Sequence, residues 1–218
     1  MDITALIALS MGAAWASGLN LYATCAMLGI MGATGSMELP PGMETLQNPW
    51  VIGAAAAMYV VEFFADKIPG VDSAWDTIHS FIRVPAGAVL AATVFADAST
   101  AEMLAAGAGG GILTAATHTV KAGTRLLINT SPEPFSNWTA SVSEDVAVFG
   151  GLWLALSHPA VFIGALVAFI LLAIWLLPKL WRAIKALFAK IVRLFGKKTE
   201  VPPLDGVRVT LGRKSIEG

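Results

Sequence analysis

Charge is scarce in this chain: only 13% of its 218 residues are charged, against 56% that are hydrophobic. That is too little charge to coat a soluble globule of this size, and a mean hydropathy of +0.70 points the same way. The expected solvent is a bilayer. A single cysteine, Cys25, excludes a disulfide framework or a cysteine-rich metal centre within one chain, and reads as a small buried apolar side chain. No GxxxxGK[ST] loop, HExxH helix or GxSxG elbow is present, so neither an NTPase nor a motif-defined hydrolase fits. The glycine-rich run at 105–111 reads as close helix packing. The N-terminal apolar stretch lacks a basic n-region and continues through TCAMLGIMGA, so a cleaved signal peptide is not expected.

Long apolar runs are what the chain has instead. PAVFIGALVAFILLAIWLL at 159–177 carries no charge and matches the roughly 20 residues a helix needs to cross hydrocarbon. Six spans in all are read, at about 4–30, 50–66, 84–98, 103–125, 140–157 and 159–178. Basic residues are retained on the cytoplasmic side and test that count independently. With six spans and the N-terminus inside, all fourteen Lys and Arg fall on or near that side: Lys67, Arg83, Lys121, Arg125 and ten beyond Leu177. The outer loops carry Glu38, Glu44, Asp97 and Glu102. The expected class is all-α and polytopic, with both termini cytoplasmic.

Two Pro-rich loops, GSMELPPGMETLQNPW at 35–50 and INTSPEPFSNW at 128–138, each end in a Trp that opens a span. The preceding spans are both interrupted by polar and small residues, SGLNLYAT at 17–24 and THTVKAGT at 117–124. This suggests a 3+3 inverted repeat within a transmembrane domain 1–178, repeat one at about 1–98 and repeat two at about 101–178. Asn20 and Tyr22 then lie near mid-membrane, where Gly18 beside Asn20 marks a candidate unwound point; a bond from Asn20 to another helix is the commoner alternative.

Seven ionisable residues crowd positions 62–83: Glu62, Asp66, Lys67, Asp72, Asp76, His79 and Arg83. Glu62 and Asp66, four apart, share a helical face at the end of span two. IPG then stops that helix, and Asp72 is placed to cap a short one, SAWDTIHSFI. On it Asp72, Asp76, His79 and Arg83 fall within about 60° of one another, opposite Trp75, Ile78, Phe81 and Ile82. A surface helix with its charged stripe in water accounts for this segment alone. His118, Lys121 and Arg125, at i, i+3 and i+7 of span four, and Ser141, Glu144 and Asp145 in span five enlarge the set. Ionisable groups at membrane depth face each other or a polar cavity, so these residues are expected to converge within about 10 Å as a cytoplasmic-side vestibule or as structural ion pairs.

SGLNLYAT, NPW, EFFADKIPGVDSAWD with His79, Arg83 and Pro85, HTVKAGTR, SPEP, SNW and Ser143-Glu144-Asp145 together resemble an integral membrane family catalogued as domain of unknown function 4126, over roughly residues 10–160. The resemblance implies a multi-span bacterial membrane protein, hence the inner membrane, and brings no activity.

Three function classes follow from the residues. A transporter or channel for a small solute or ion fits the repeat and the polar interruptions. A membrane-embedded enzyme acting on a lipid or phosphate-containing substrate fits Glu62, Asp66, Asp76 and His79 as ligands of a divalent cation, with Arg83 or Arg125 on a phosphate. A noncatalytic scaffold fits the C-terminal region. Residues 179–198 form an amphipathic basic helix, with Leu180, Trp181, Ile184, Leu187, Phe188, Ile191 and Phe195 on one stripe and seven Lys or Arg elsewhere. It is expected to lie on anionic lipid at the inner leaflet, to continue the last span straight, or to dock on a second copy of the chain as a homo-oligomer contact. Residues 199–218 read as a mobile cytoplasmic tail. No nucleic-acid partner is expected.

Overall fold

The computed structural model describes residues 1–130 and 135–195. Among these there is no strand. Six α-helices follow one another: α1 Ile3–Ala33, α2 Pro49–Ala65, α3 Val71–Thr93, α4 Thr100–Ile128, α5 Phe135–Ser157 and α6 Pro159–Phe195, with a 3-10 turn at Pro41–Gln47 before α2. Their starts are chemically marked. Asp2 accepts from the Ala5 amide at 2.7 Å, and Asn48 caps α2 through the Trp50 amide ahead of a Pro in the first turn. Ser99 and Glu102 form a reciprocal capping box on α4.

By length and apolar composition, α1 and Pro159–Lys190 of α6 qualify as membrane spans, and the 3-10 turn with α2, bent by 68°, qualifies as a pair. The other helices are too short or too weakly apolar to qualify on those grounds, but their surfaces are inside out. Trp50, Phe81, Ile112, Phe135 and Val146 are exposed, while Glu62, Asp72, Asp76, Arg83, Lys121 and Arg125 are buried. A water-soluble fold does the reverse. The protein is a membrane protein.

Helix α1 sits at the centre, packed by α2, α3, α4, α5 and α6. Small residues permit this: a Cβ on Gly18 would lie 2.7 Å from both the Thr114 carbonyl oxygen and Thr117 Cβ. Gly87 gives Thr114 the same closeness between α3 and α4. Lipid offers no hydrophobic driving force between helices, so backbone approach of this kind supplies the packing.

One sequence expectation is corrected and one alternative is excluded. The short helix after IPG does not end before Pro85; it runs on as α3 to Thr93. Proline leaves the carbonyl four residues back without a donor. That residue is Phe81, on the exposed face and away from the core. The charged stripe of α3 also points inward, not to water: Asp72, Asp76, His79 and Arg83 are buried, and Ile78, Phe81 and Ile82 face out.

Likewise α6 passes through Pro178 without ending, so 179–195 continues the last helix, as one of the three alternatives had it. Leu180 and Ile184 reach Gly123 of α4, at 3.3 and 3.7 Å from where its Cβ would stand. Trp181 and Phe188 stay exposed. The expected tail, 199–218, lies outside the described residues.

Candidate functional site

Four carboxylates and three cations from α2, α3, α4 and α5, with Asp66 at the α2 C-cap, meet beneath the middle of α1. Lys121, fully buried, is the hub: its Nζ lies 3.3 Å from Glu62, 3.1 Å from Asp66, 3.7 Å from Asp76 and 3.4 Å from Glu144. Arg83 donates to Glu62 Oε1 at 2.5 Å and to Asp76 Oδ1 at 2.8 Å. Arg125 grips Glu144 with two parallel bonds, Nε to Oε1 at 3.0 Å and Nη2 to Oε2 at 2.8 Å. Its Nη1 donates to the backbone oxygens of Asp66 and Asn137 at 2.9 and 3.1 Å. One guanidinium thus fastens the C-cap of α2 to the first turn of α5.

The backbone of α1 takes part. Asn20 has φ −150° and ψ 99°, a break inside an otherwise continuous helix. Its side chain caps the second half through the Ala23 amide at 2.9 Å. The break frees the Leu19 carbonyl, which accepts from Lys121 Nζ at 2.9 Å. The half-helix therefore presents its negative end to a cation. The unwound point read from Gly18 and Asn20 is where it was expected, and Asn20 is buried.

His118 joins the network to a groove. Arg83 Nη1 lies 3.2 Å from His118 Nδ1, and a guanidinium only donates, so Nδ1 is the bare nitrogen. Ser80 gives its hydroxyl proton to the Asp76 carbonyl at 2.8 Å. It therefore accepts from His118 Nε2 at 2.6 Å. These two partners fit the neutral Nε2–H tautomer, and the Gly18 backbone is a third hydrogen-bond neighbour of the ring. Ser80 and His118, with Ser73 and Thr77, form the polar wall of a cavity of about 540 Å³ between α3, α4 and α6, whose other wall is Leu177, Leu180, Trp181 and Ile184.

The convergence expected of Glu62, Asp66, His118 and Arg125 is thus present, together with Asp76, Arg83, Lys121 and Glu144. The expected vestibule is not: the network is closed over, with Glu62, Arg83 and Arg125 at 0% exposure. Nor do Glu62, Asp66, Asp76 and His79 form a cation site. Among the described residues no group of three or more His, Cys, Asp and Glu is placed to hold a metal ion. The acids are turned onto Arg83 and Lys121, and His79 lies elsewhere, stacked on Trp75 at 4.1 Å with Nδ1 2.9 Å from the Trp75 carbonyl. Tyr22 meets His79 edge-on, 5.7 Å away, and also lies within electrostatic reach of Glu62 and Arg83, so it borders both the aromatic stack and the ion pairs. Asp145 hydrogen-bonds the Tyr59 hydroxyl and lies within electrostatic reach of Lys121, Lys67 and Asp66.

Asn129 and Asn137 were not singled out from sequence. Asp72 Oδ1 accepts from Asn129 Nδ2 at 2.7 Å, and Asn129 Oδ1 accepts from Asn137 Nδ2 at 2.7 Å, latching the ends of α3, α4 and α5. Lys67 bridges the Phe63 carbonyl and Ser141 Oγ at 3.1 and 3.3 Å. Burial and the nearby Arg125 guanidinium lower its pKa, while Asp145 and Asp66 oppose that shift. An Asn just ahead of the Trp that closes each Pro-rich loop, Asn48 before Pro49-Trp50 and Asn137 directly before Trp138, was the available signal for Asn137.

Fold and site together define a helical membrane protein with a buried ionic network at a broken helix. The sequence matches the family described as Domain of unknown function (DUF4126) over residues 7–179, and the chain belongs to that family. No curated protein and no solved structure matches it.

Proposed function

We propose that this protein moves a small solute or ion across a bacterial inner membrane. The observation that carries this reading is the break at Asn20, where a freed helix carbonyl meets a cation inside a four-acid, three-base network. Ionisable groups at membrane depth are expensive, and broken helices that offer charged ends to one another are how transporters build ion and substrate sites. Structural fastening alone needs neither the break nor a histidine leading to a groove.

The topology proposed is six spans with both termini cytoplasmic, α3, α4 and α5 crossing with their charges turned inward. The order helix, Pro-rich loop, helix, helix occurs twice, which supports two inverted halves. The halves differ in detail, since α1 is broken and packs on α5, whereas α4 carries no such break. Beyond Pro178 the exposed Lys179, Arg182, Lys185 and Lys190 are proposed to meet anionic headgroups at the inner surface.

Topology is tested with single cysteines in a Cys25→Ala background. Glu44→Cys and Glu102→Cys should react with an impermeant thiol reagent in intact cells, and Thr199→Cys should not. Reversed labelling overturns the orientation.

Transport is tested with the full chain in liposomes adsorbed on a solid-supported membrane. Jumps in proton, sodium, potassium or phosphate concentration should displace charge above empty vesicles for at least one of them, and Glu62→Gln should reduce that signal at least tenfold. Silence for all four, or a signal that Glu62→Gln leaves intact, rejects the reading.

A further inference from the structure

The ionic network does not balance. Glu62, Asp66, Asp76 and Glu144 make four negative charges when ionised; Arg83, Lys121 and Arg125 make three positive ones. His118, held neutral by the donor Arg83, adds none. The remaining negative charge sits where solvent cannot screen it. A second observation is independent of the count: Glu62 Oε2, Asp66 Oδ1 and Asp76 Oδ2 have no hydrogen-bond partner, on side chains exposed by 0, 5 and 1%. A buried carboxylate oxygen normally has one. These three oxygens, on three of the four acids, are each free to take a hydrogen bond, and the Arg83 Nε of the same network is also unpartnered.

We propose that the network binds one exchangeable proton, shared among its carboxylates, and exchanges it with the groove between α3, α4 and α6 through His118 and Ser80. Uptake turns one carboxylate and a hydronium ion into a carboxyl and a water molecule. The carboxyl O–H supplies a donor to an oxygen that has none, and the network becomes neutral. A proton needs no coordination shell, whereas a metal cation would have to draw ligands from acids already turned onto Arg83 and Lys121. It belongs to the coupled set and to no single acid.

The neighbours from every packed helix are compatible with this. α1 contributes the Leu19 carbonyl and, at the edge, Tyr22; α2 contributes Glu62 and Asp66; α3 Asp76, Arg83 and, stacked aside, His79. α4 contributes His118, Lys121 and Arg125, and α5 Glu144. Asp72, Asp145 and Lys67 stand at the rim: each has a hydrogen-bond partner of its own, but Asp145 also acts on Lys121 and Asp66, Asp72 on Arg125, and Lys67 on Asp66 and Arg125, so two further acids against one base add to the negative excess.

His118 is the titratable residue of the groove lining and also touches Arg83. On release, once Arg83 Nη1 turns to Asp76 alone, the carboxyl proton passes to Nδ1 as the Nε2 proton leaves to a groove water. Atoms and charge balance, and the ring is left as the Nδ1–H tautomer. This exchange route rests on the transport reading; the bound proton does not.

Infrared difference spectroscopy on the reconstituted full chain tests the site directly. Wild type at neutral pH should show the carbonyl stretch of a protonated carboxyl, lost as pH is raised. Each of Glu62→Gln, Asp66→Asn, Asp76→Asn and Glu144→Gln balances three acids against three bases and should remove that band. Glu102→Gln, at the exposed start of α4, should keep it. His118→Ala should keep the band and slow its deuterium exchange at least tenfold. Absence of the band in wild type from mildly acidic to mildly alkaline pH overturns the proposal without any variant having to fold. So does a band that survives all four acid substitutions, and exchange unaffected by His118→Ala overturns the route. A band without vesicle currents would reject transport and leave the proton site standing; currents without a band would do the opposite.

Discussion

Arg125→Ala should cost the folded protein about 3–5 kcal/mol, the range for removing one partner of a buried ion pair. The guanidinium makes two bonds to Glu144 and two to the backbone oxygens of Asp66 and Asn137. Without it Glu144 keeps only Lys121 at 3.4 Å, and two buried carbonyls at helix ends lose their donor. Because those carbonyls belong to the C-cap of α2 and the first turn of α5, the loss separates helices that make few other contacts there. Arg125→Lys keeps the charge but not the planar fork, so it should recover less than half of the loss. Thermal unfolding in detergent, followed by tryptophan fluorescence, orders the three proteins. If the alanine variant melts with wild type, the pairs to Arg125 contribute nothing and the fastening role is wrong.

Much of this cluster was legible because helical spacing survives translation into space. Asp72, Asp76, His79 and Arg83 do share a face, and His118, Lys121 and Arg125 do share another. What a helical wheel cannot supply is which face is inside. In water a charged stripe faces out, and that default led to the surface-helix alternative for α3; in lipid the preference inverts, and the greasy face holding Phe81 is outermost. His79 shows a finer limit. It is within the stripe by angle, yet Trp75 one turn earlier offers it a ring to stack on and a carbonyl to bond, and local partners took it out of the ion pairs.

Helix boundaries near proline were the other misreading. Expected boundaries fell beside Pro85 and Pro178, with straight continuation past Pro178 as one alternative, and both prolines lie inside helices. In membrane helices the freed carbonyl is re-satisfied or tolerated by the surroundings. Asn20 behaved oppositely. It is an ordinary residue for a helix interior by propensity, yet its side-chain oxygen competes for a backbone amide two or three positions on, and here it captured Ala23 and broke α1. The closed state of the network has no sequence signature at all, because closure depends on how deeply four separate helices pack.

Lys121→Met should make stability depend steeply on pH. The substitution leaves Glu62, Asp66, Asp76 and Glu144 facing only Arg83 and Arg125, an excess of two negative charges where wild type has one. The folded variant answers by binding a second proton. Its unfolded chain, with carboxyls in water, holds neither at neutral pH. When the folded state binds more protons than the unfolded one, unfolding free energy falls as pH rises, by about 1.4 kcal/mol per pH unit for each extra proton. The stability gap between variant and wild type should therefore widen by about that amount per unit above the ordinary carboxylate range. It should narrow again as acid protonates the unfolded chain too. A constant part of the gap remains, because the Leu19 carbonyl has lost its donor. Adding Glu62→Gln to Lys121→Met restores an excess of one, so the double variant should return to the wild-type pH slope while staying less stable. Residues in one network couple, and the two substitutions should be non-additive by about 0.5–3 kcal/mol. Denaturant titrations of all four proteins at three pH values measure both quantities. Parallel pH profiles for wild type and Lys121→Met would show that the cation does not set the proton count of the network, and the charge balance on which the bound proton rests would be wrong.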